Sequence, residues 1–511
     1  MSSLEQTFEV QREMKYLLVM HYAVPQRLIQ LQSILVCEPI NDIMEIDKIV
    51  AELRRTFDSG KTRPIAWRKE QLRNLYHLIV DNRDRFIEAI FKDIGKPPVQ
   101  VEVLETLCVA NEDEVVETMP PFENWSPIIR KQPKGSVLVL GLQSGRNAAS
   151  YQPSNTKSAP IALLPFIGVI AAGNTGILRP SEFAPATADL LVELFPKYLD
   201  PSSFRCVIGG REAAEALLKH SFGHILFTGG LKVGKEVMKA AANNITPITL
   251  ELGGRNAAIV SDNANVRLAA KRILWGKAAA AGQTCFAPNV AIVHEAVYDE
   301  FVGGLKDYYA EFYKGKAELP SVGHIVNAAQ FSRVQSLFSS TKGKIILGGE
   351  LNSTTYFIEP TIVTDIEVDD ALLQAEVFGP ILPVIKAKDT DHAQTLAREI
   401  APESLGLYIF SEDLEEANKV INALPNGSAS INDVMAQIAP TSMPFGGFGS
   451  SGFGAYRGKA SIDTFSHKQS IVTVPTVPEF EAMLEWRYPY ADQEKTVEFI
   501  RANMLAPLPP Q

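Results

Sequence analysis

Cysteine is scarce in this chain. Cys37, Cys108, Cys206 and Cys285 are all that 511 residues contain, which excludes a disulfide-stapled scaffold and suits a reducing compartment. Long apolar runs are missing too: residues 16–40, the most apolar stretch near the start, are broken by His21, Arg27 and several Gln, short of the roughly 18 uninterrupted apolar residues a spanning helix needs. Residues 1–11 carry Glu5 and Glu9 where a secretory signal needs a basic start. Positive charge is in deficit, with 49 Lys and Arg against 59 Asp and Glu. Without clustered cations a protein does not track nucleic-acid phosphates. No repeat is present and no His, Cys, Asp and Glu spacing suits a metal. These absences leave the expectation of a cytoplasmic protein without a membrane anchor, acting on a small molecule.

What is present is ordinary globular chemistry, 46% hydrophobic and 21% charged, in a chain too long for one core; length alone suggests roughly three domains. Residues 1–42 show no period and read as an N-terminal extension. From there Ile43, Ile46, Ile49, Val50 and Leu53, then Leu72, Leu75, Leu78, Ile79, Phe86, Ile90 and Phe91, recur at helical spacing as scaffold helices. At Gly135-Ser136-Val137-Leu138-Val139-Leu140-Gly141 the rhythm changes to a continuous apolar run between turn residues, the pattern of a strand buried on both faces. Similar runs at 176–178, 205–208, 224–227 and 248–252 alternate with helical stretches at 183–198, 211–220 and 234–242. This predicts an α/β fold with a doubly wound, Rossmann-like sheet over 43–250. A second alternating block, with runs at 289–293, 344–347 and 406–410, predicts an α/β domain over 251–434. Residues 473–511, rich in Pro and aromatics, read as a surface tail.

Two segments carry chemistry. After the run ending at Phe227 comes Thr228-Gly229-Gly230-Leu231-Lys232-Val233-Gly234-Lys235, opening into a helix. Glycine lets the backbone approach a ligand, and a helix start favours phosphate; taken alone, the segment is equally a plain strand-to-helix turn. The second is Lys277-Ala278-Ala279-Ala280-Ala281-Gly282-Gln283-Thr284-Cys285, whose thiol is either a small buried hydrophobe or a nucleophile. Glu251, before Leu252-Gly253-Gly254 at a predicted strand end, supplies a carboxylate where α/β sheets bind ligands, and Cys with a carboxylate base is a workable pair.

With these residues the chain resembles the aldehyde dehydrogenases. Phe227-Thr228-Gly229-Gly230 to Gly234-Lys235, Leu250-Glu251-Leu252-Gly253-Gly254, Gly282-Gln283-Thr284-Cys285, Glu376-Val377-Phe378-Gly379-Pro380 and Pro444-Phe445-Gly446-Gly447 to Gly452 stand in the family's order. The ending Gly454-Ala455-Tyr456-Arg457-Gly458-Lys459 through Phe465-Ser466-His467 resembles class 3, the fatty or aromatic aldehyde branch. The resemblance spans about residues 43–472. It implies oxidation of a hydrophobic aldehyde to its carboxylic acid with NAD or NADP, with Cys285 as nucleophile and Glu251 activating the water that hydrolyses a thioester. It implies cofactor contacts from Gly229, Gly230 and Gly234, from Glu376 at the nicotinamide ribose, from Phe378 near the ring, and from Arg179, Ser181 and Glu182 near the adenosine ribose. Arg179 stands where the family usually has Lys, and its planar fork suits a phosphate, so use of both cofactors is expected. No metal is implied. A homodimer is, closed by strand sharing: residues 126–132 within a bridging hairpin near 126–140, and 462–472 as a strand in a closing segment over 435–472.

One stretch departs from the pattern. After Gly141 the family has a short turn whose Asn helps form an oxyanion hole; here 142–160 form a longer polar stretch containing Asn147 and Asn155. Losing one such donor costs an acyl-transfer site about a hundred- to a thousandfold. The alternative expectation is therefore a weakened or non-catalytic homologue. An acylating enzyme using coenzyme A is disfavoured by Glu251, which can activate water.

Overall fold

The computed structural model describes residues 43–95, 114–115, 128–141, 163–313, 322–440, 442–483, 485, 488 and 492–503. The extension 1–42, the departing stretch 142–160, and Trp486 and Tyr490 of the tail lie outside the described residues. In chain order the strands are β1 (Glu114–Val115), β2 (Ile128–Pro133), β3 (Ser136–Leu140), β4 (Thr175–Arg179), β5 (Phe204–Cys206), β6 (His224–Thr228), β7 (Ile248–Glu251), β8 (Asn256–Val260) and β9 (Pro288–His294). They continue as β10 (Lys344–Leu347), β11 (Leu351–Asn352), β12 (Phe357–Ile358), β13 (Thr361–Thr364), β14 (Ile381–Ala387), β15 (Ser404–Phe410), β16 (Asn426–Ile431), β17 (Gly452–Phe453) and β18 (Ser466–Ile471).

The first sheet has the order β17-β7-β6-β3-β4-β5. All its pairs are parallel except β17 against β7. The chain starts at β3, winds outward to β5 and returns to β6, so its topological switch lies between β3 and β6, where such sheets bind ligands beyond their carboxyl ends. Why the strands read as unbroken apolar runs is visible in β3. Val137 and Val139 enter one core with Leu72, Leu75 and Phe166, while Leu138 and Leu140 enter another with Ile46, Val50 and Leu53. Alternate side chains face opposite ways, and the helices Ile43–Asp58 and Ile65–Val80 cover opposite faces. The helical spacing at 43–53 and 72–79 thus belongs to helices on opposite faces of one sheet, and Phe86, Ile90 and Phe91 belong to a further helix, Arg83–Ile94.

The second sheet, β10-β13-β14-β9-β8-β15-β16, is parallel but for β10. The changeover between sheets takes only the residues from Glu251, ending β7, to Asn256, opening β8. The third sheet, β1-β2-β18, pairs Ile128–Pro133 antiparallel with Ser466–Ile471.

Two details correct or complete the sequence reading. Residues 462–465, expected in a strand, close the helix Gly458–Phe465. Ile462 and Phe465 are both buried, and a spacing of three puts them on one helical face, where a strand would turn them apart. The second concerns detail within the tail, where the sequence reading named no element: it contains the helices Pro478–Met483 and Gln493–Asn503. Phe480 is buried, and the Asp492 carboxylate accepts from Glu494 N at 3.0 Å and Lys495 N at 3.3 Å as a cap.

Candidate active site

Where β6 ends, Gly229 N donates to Glu251 O (2.9 Å), tying the glycine turn to the end of β7. Gly230 caps the helix Leu231–Asn243, and the space a Cβ would take on Gly230 is open. Gly234 faces inward, where a Cβ would strike the Leu252 side chain, so the helix lies as close to the strand end as glycine allows. Open backbone amides at a well-seated helix start fit the phosphates of a dinucleotide.

At the end of β4, Arg179 is fully buried. Its Nη2 donates to Gly209 O (2.5 Å) and Gly210 O (3.0 Å) and pairs with Glu182 Oε2 at 2.9 Å. Ser181 Oγ accepts from Phe183 N (3.1 Å). The structure brings the three expected residues together, but Arg179 and Glu182 hold each other and the 209–210 turn. Arg179 therefore shapes this loop before it meets any phosphate.

Cys285 is buried, 8% exposed, behind a backbone of unusual conformation. Ala280, Ala281 and Gly282 are all left-handed, at φ 52, 52 and 69°, which costs about 1–2 kcal/mol at each alanine. Gly282 tolerates nothing larger, because a Cβ there would fall against the Gly379 carbonyl. Ala281 N donates to Val322 O (2.8 Å), and the Gln283 side chain donates to His324 O (2.9 Å) and accepts from Val326 N (3.0 Å). These bonds hold the turn that presents the thiol.

Glu251 is 2% exposed, and among the described residues neither carboxylate oxygen has a hydrogen-bond partner. Burial without compensation disfavours its charged form and pushes its pKa well above the ordinary 4.5. A folded-state pKa above the unfolded value means that the native state holds the proton longer. Stability is therefore lost as pH rises from 4.5 toward the raised value. Glu251→Gln cannot ionise, so its melting temperature is expected to exceed that of the wild type by roughly a few degrees at pH 8, with the gap closing by pH 5. Thermal melts at both pH values check this; a gap independent of pH would contradict it.

Glu376 and Phe378 follow a short helix that ends at Gln374. Gly254 N points at Glu376 Oε1 (3.4 Å), Arg333 donates to the carbonyls of Glu376 (3.1 Å) and Val377 (2.9 Å), and Phe378 is left-handed at φ 45°. Asn289, which opens β9 with Pro288, donates to Ala375 O (3.2 Å) and accepts from Val377 N (2.9 Å). Segments 251–256, 282–289 and 374–380 are thus interlocked. Lys277 was missed in the sequence. It is buried, and desolvation lowers its pKa to about 7, opposed by the Glu376 charge and reinforced by Arg333. A lone cation ahead of an alanine run was the available signal. Among the described residues, no group of three or more His, Cys, Asp or Glu could hold a metal, and no helix is long and apolar enough to cross a membrane.

A doubly wound sheet with an open glycine turn, joined to a second α/β sheet that carries a buried thiol at the junction, fits an enzyme that binds a dinucleotide. The family model described as "Aldehyde dehydrogenase family" matches residues 39–471. The chain is 35% identical to aldehyde dehydrogenase family 3 member A2 of Rattus norvegicus, over 88% of this chain and 92% of that protein. It is 36% identical to the 4,4'-diaponeurosporen-aldehyde dehydrogenase of Staphylococcus aureus, over 81% of this chain and 91% of that protein. Among solved structures, the substrate-bound state of Staphylococcus aureus AldH superposes with a TM-score of 0.81 at 33% identity, over 89% of this chain and 99% of that one. The chain belongs to the aldehyde dehydrogenase family and is an NAD(P)-dependent enzyme of it. The weakened-homologue alternative gains no support from these relatives, and its premise, 142–160, lies outside the described residues.

Proposed function

We propose that the enzyme oxidises a hydrophobic aldehyde, with Cys285 as nucleophile and Glu251 as base. The Cys285 thiolate bonds to the aldehyde carbon and the C=O pair moves onto oxygen, giving a thiohemiacetal alkoxide that the Cys285 amide would hold. NAD or NADP, held by Gly229, Gly230, Gly234, Glu376 and Phe378 with Arg179, Ser181 and Glu182 at the adenosine end, supplies the hydride acceptor. Collapse of the alkoxide re-forms C=O, breaks the former aldehyde C–H bond with loss of its hydride to that acceptor, and leaves a thioester on Cys285. Water then attacks, its proton passes to Glu251, the C–S bond breaks and the acid departs. The observation that carries this reading is the interlock above, in which Asn289, Gly254 and Gly282 draw the Glu251, Cys285 and Glu376 segments into one place. The hydrophobic substrate is supported by relatives such as the diaponeurosporen-aldehyde enzyme.

Within this reading 43–250 bind cofactor, 251–434 carry catalysis, 435–472 close the site and supply the oligomerisation strand, 1–42 are an N-terminal extension and 473–511 a C-terminal tail. A cytoplasmic homodimer is part of the proposal. Among the described residues β18 has a neighbour, β2, on one side only, and an open strand edge is a site for strand addition. Light scattering is expected to give twice the 56.0 kDa chain mass; a monomer at micromolar concentration refutes strand sharing. For the activity, NADH formation is followed by absorbance with aliphatic and aromatic aldehydes. Turnover is expected with at least one medium- or long-chain aldehyde, and failure with all of them, using either NAD or NADP, would contradict the reading.

A further inference from the structure

Four successive carbonyls around the nucleophile are each caught. Thr284 O accepts from Ala287 N (2.9 Å). Cys285 O and Ala287 O both accept from Asn256 Nδ2 at 2.9 Å, and Phe286 O accepts from the Tyr408 hydroxyl. Asn256 and Tyr408 are buried side chains of β8 and β15, adjacent interior strands of the second sheet. Each is fastened in turn. Asn256 Oδ1 accepts from Gly406 N at 2.8 Å, so the Asn256 amide, donating twice and accepting once, can sit only one way round. Gln437 Nε2 donates to Tyr408 Oη (3.4 Å) while Gln437 Oε1 accepts from Ser430 Oγ (2.7 Å).

A peptide unit is planar, so fixing a carbonyl fixes the following N–H. The held Thr284 carbonyl sets the direction of Cys285 N–H, and the held Cys285 carbonyl sets the plane on its other side. Together they fix the Cα–Cβ vector that carries the thiol. We propose that Asn256 and Tyr408 are positioning residues for the oxidation: by pinning the carbonyls of 285, 286 and 287 to the second sheet, they fix the orientation in which the Cys285 thiol and amide meet the aldehyde. This rests on Cys285 being the nucleophile. Both side chains are buried and act through the backbone of 285–287. Their leverage comes from the steepness with which a reaction falls when a reacting group is displaced, about a hundredfold per ångström.

The test uses full-length enzyme with NAD and decanal, measuring the pre-steady-state rate of NADH formation, the aldehyde KM, the melting temperature and the rate at which iodoacetamide alkylates Cys285. Tyr408→Phe removes the hydroxyl, with its bonds to Phe286 O and Gln437 Nε2, and keeps the ring; Asn256→Asp keeps the acceptor for Gly406 N and loses both donor bonds. For Tyr408→Phe the NADH rate is expected to fall roughly tenfold, with KM within about twofold and an altered alkylation rate, the split that marks loss of a transition-state interaction. Asn256→Asp is expected to fall further. A merely structural role would lower the melting temperature and leave the rate at 25 °C alone, and a Tyr408→Phe rate within about twofold of wild type overturns the proposal even if Asn256→Asp fails to fold. Failure of the underlying reading looks different: turnover would survive Cys285→Ser.

Discussion

Cys285→Ser is expected to lower NADH formation by about a thousandfold or more, with cofactor binding intact and the melting temperature within a few degrees of wild type. The exchange is nearly isosteric and the site is 8% exposed, so the fold has little to lose. The chemistry loses its nucleophile. A thiol is partly ionised near neutrality, whereas a serine hydroxyl needs an adjacent base to take its proton. The left-handed turn from Ala280 to Gly282 would still present the serine oxygen, so geometry does not rescue it. Steady-state assays on variant and wild type decide the point; substantial activity in the variant removes Cys285 from the mechanism.

Glu251→Gln is expected to give a burst of about one NADH per active site followed by turnover reduced about a hundred- to ten-thousandfold, the usual range for losing a general base. Hydride leaves before water attacks, so the first half of the reaction does not require Glu251. Glutamine matches the shape of the protonated acid but cannot take the proton of water. The same substitution that stops turnover is expected to stabilise the fold at alkaline pH. This opposition is what an uncompensated buried carboxyl kept for catalysis should show. Stopped-flow absorbance resolves the burst, and a uniform loss of rate without one would assign Glu251 another role.

The sequence made legible what is contiguous in it. The glycine turn 229–234, Glu251 before two glycines, Cys285 after Gly282 and Glu376 before Phe378 each read as local patterns because each serves one turn of backbone. The alternating runs gave both sheets, since strands buried on two faces are apolar throughout. What stayed hidden acts across the chain. Asn256 and Tyr408 sit in strands where an amide and a phenol look like ordinary strand residues, and their partners lie on another segment. Lys277 reads as a helix surface cation until burial beside Glu376 and Arg333 is seen. Arg179 was legible as a cation near the cofactor but not as one committed to Gly209 and Gly210. Residues 462–465 read as a strand because Thr464 and Phe465 favour one; tertiary packing of Ile462 and Phe465 makes them helical.

The covalent step admits direct observation. Glu251→Gln, mixed with decanal and NAD and quenched in acid after the burst, is expected to show by intact-protein and peptide mass spectrometry one decanoyl group on the peptide containing Cys285, released by hydroxylamine. An unmodified Cys285 after a full burst of NADH, or the acyl group on any other residue, would contradict a thioester at Cys285.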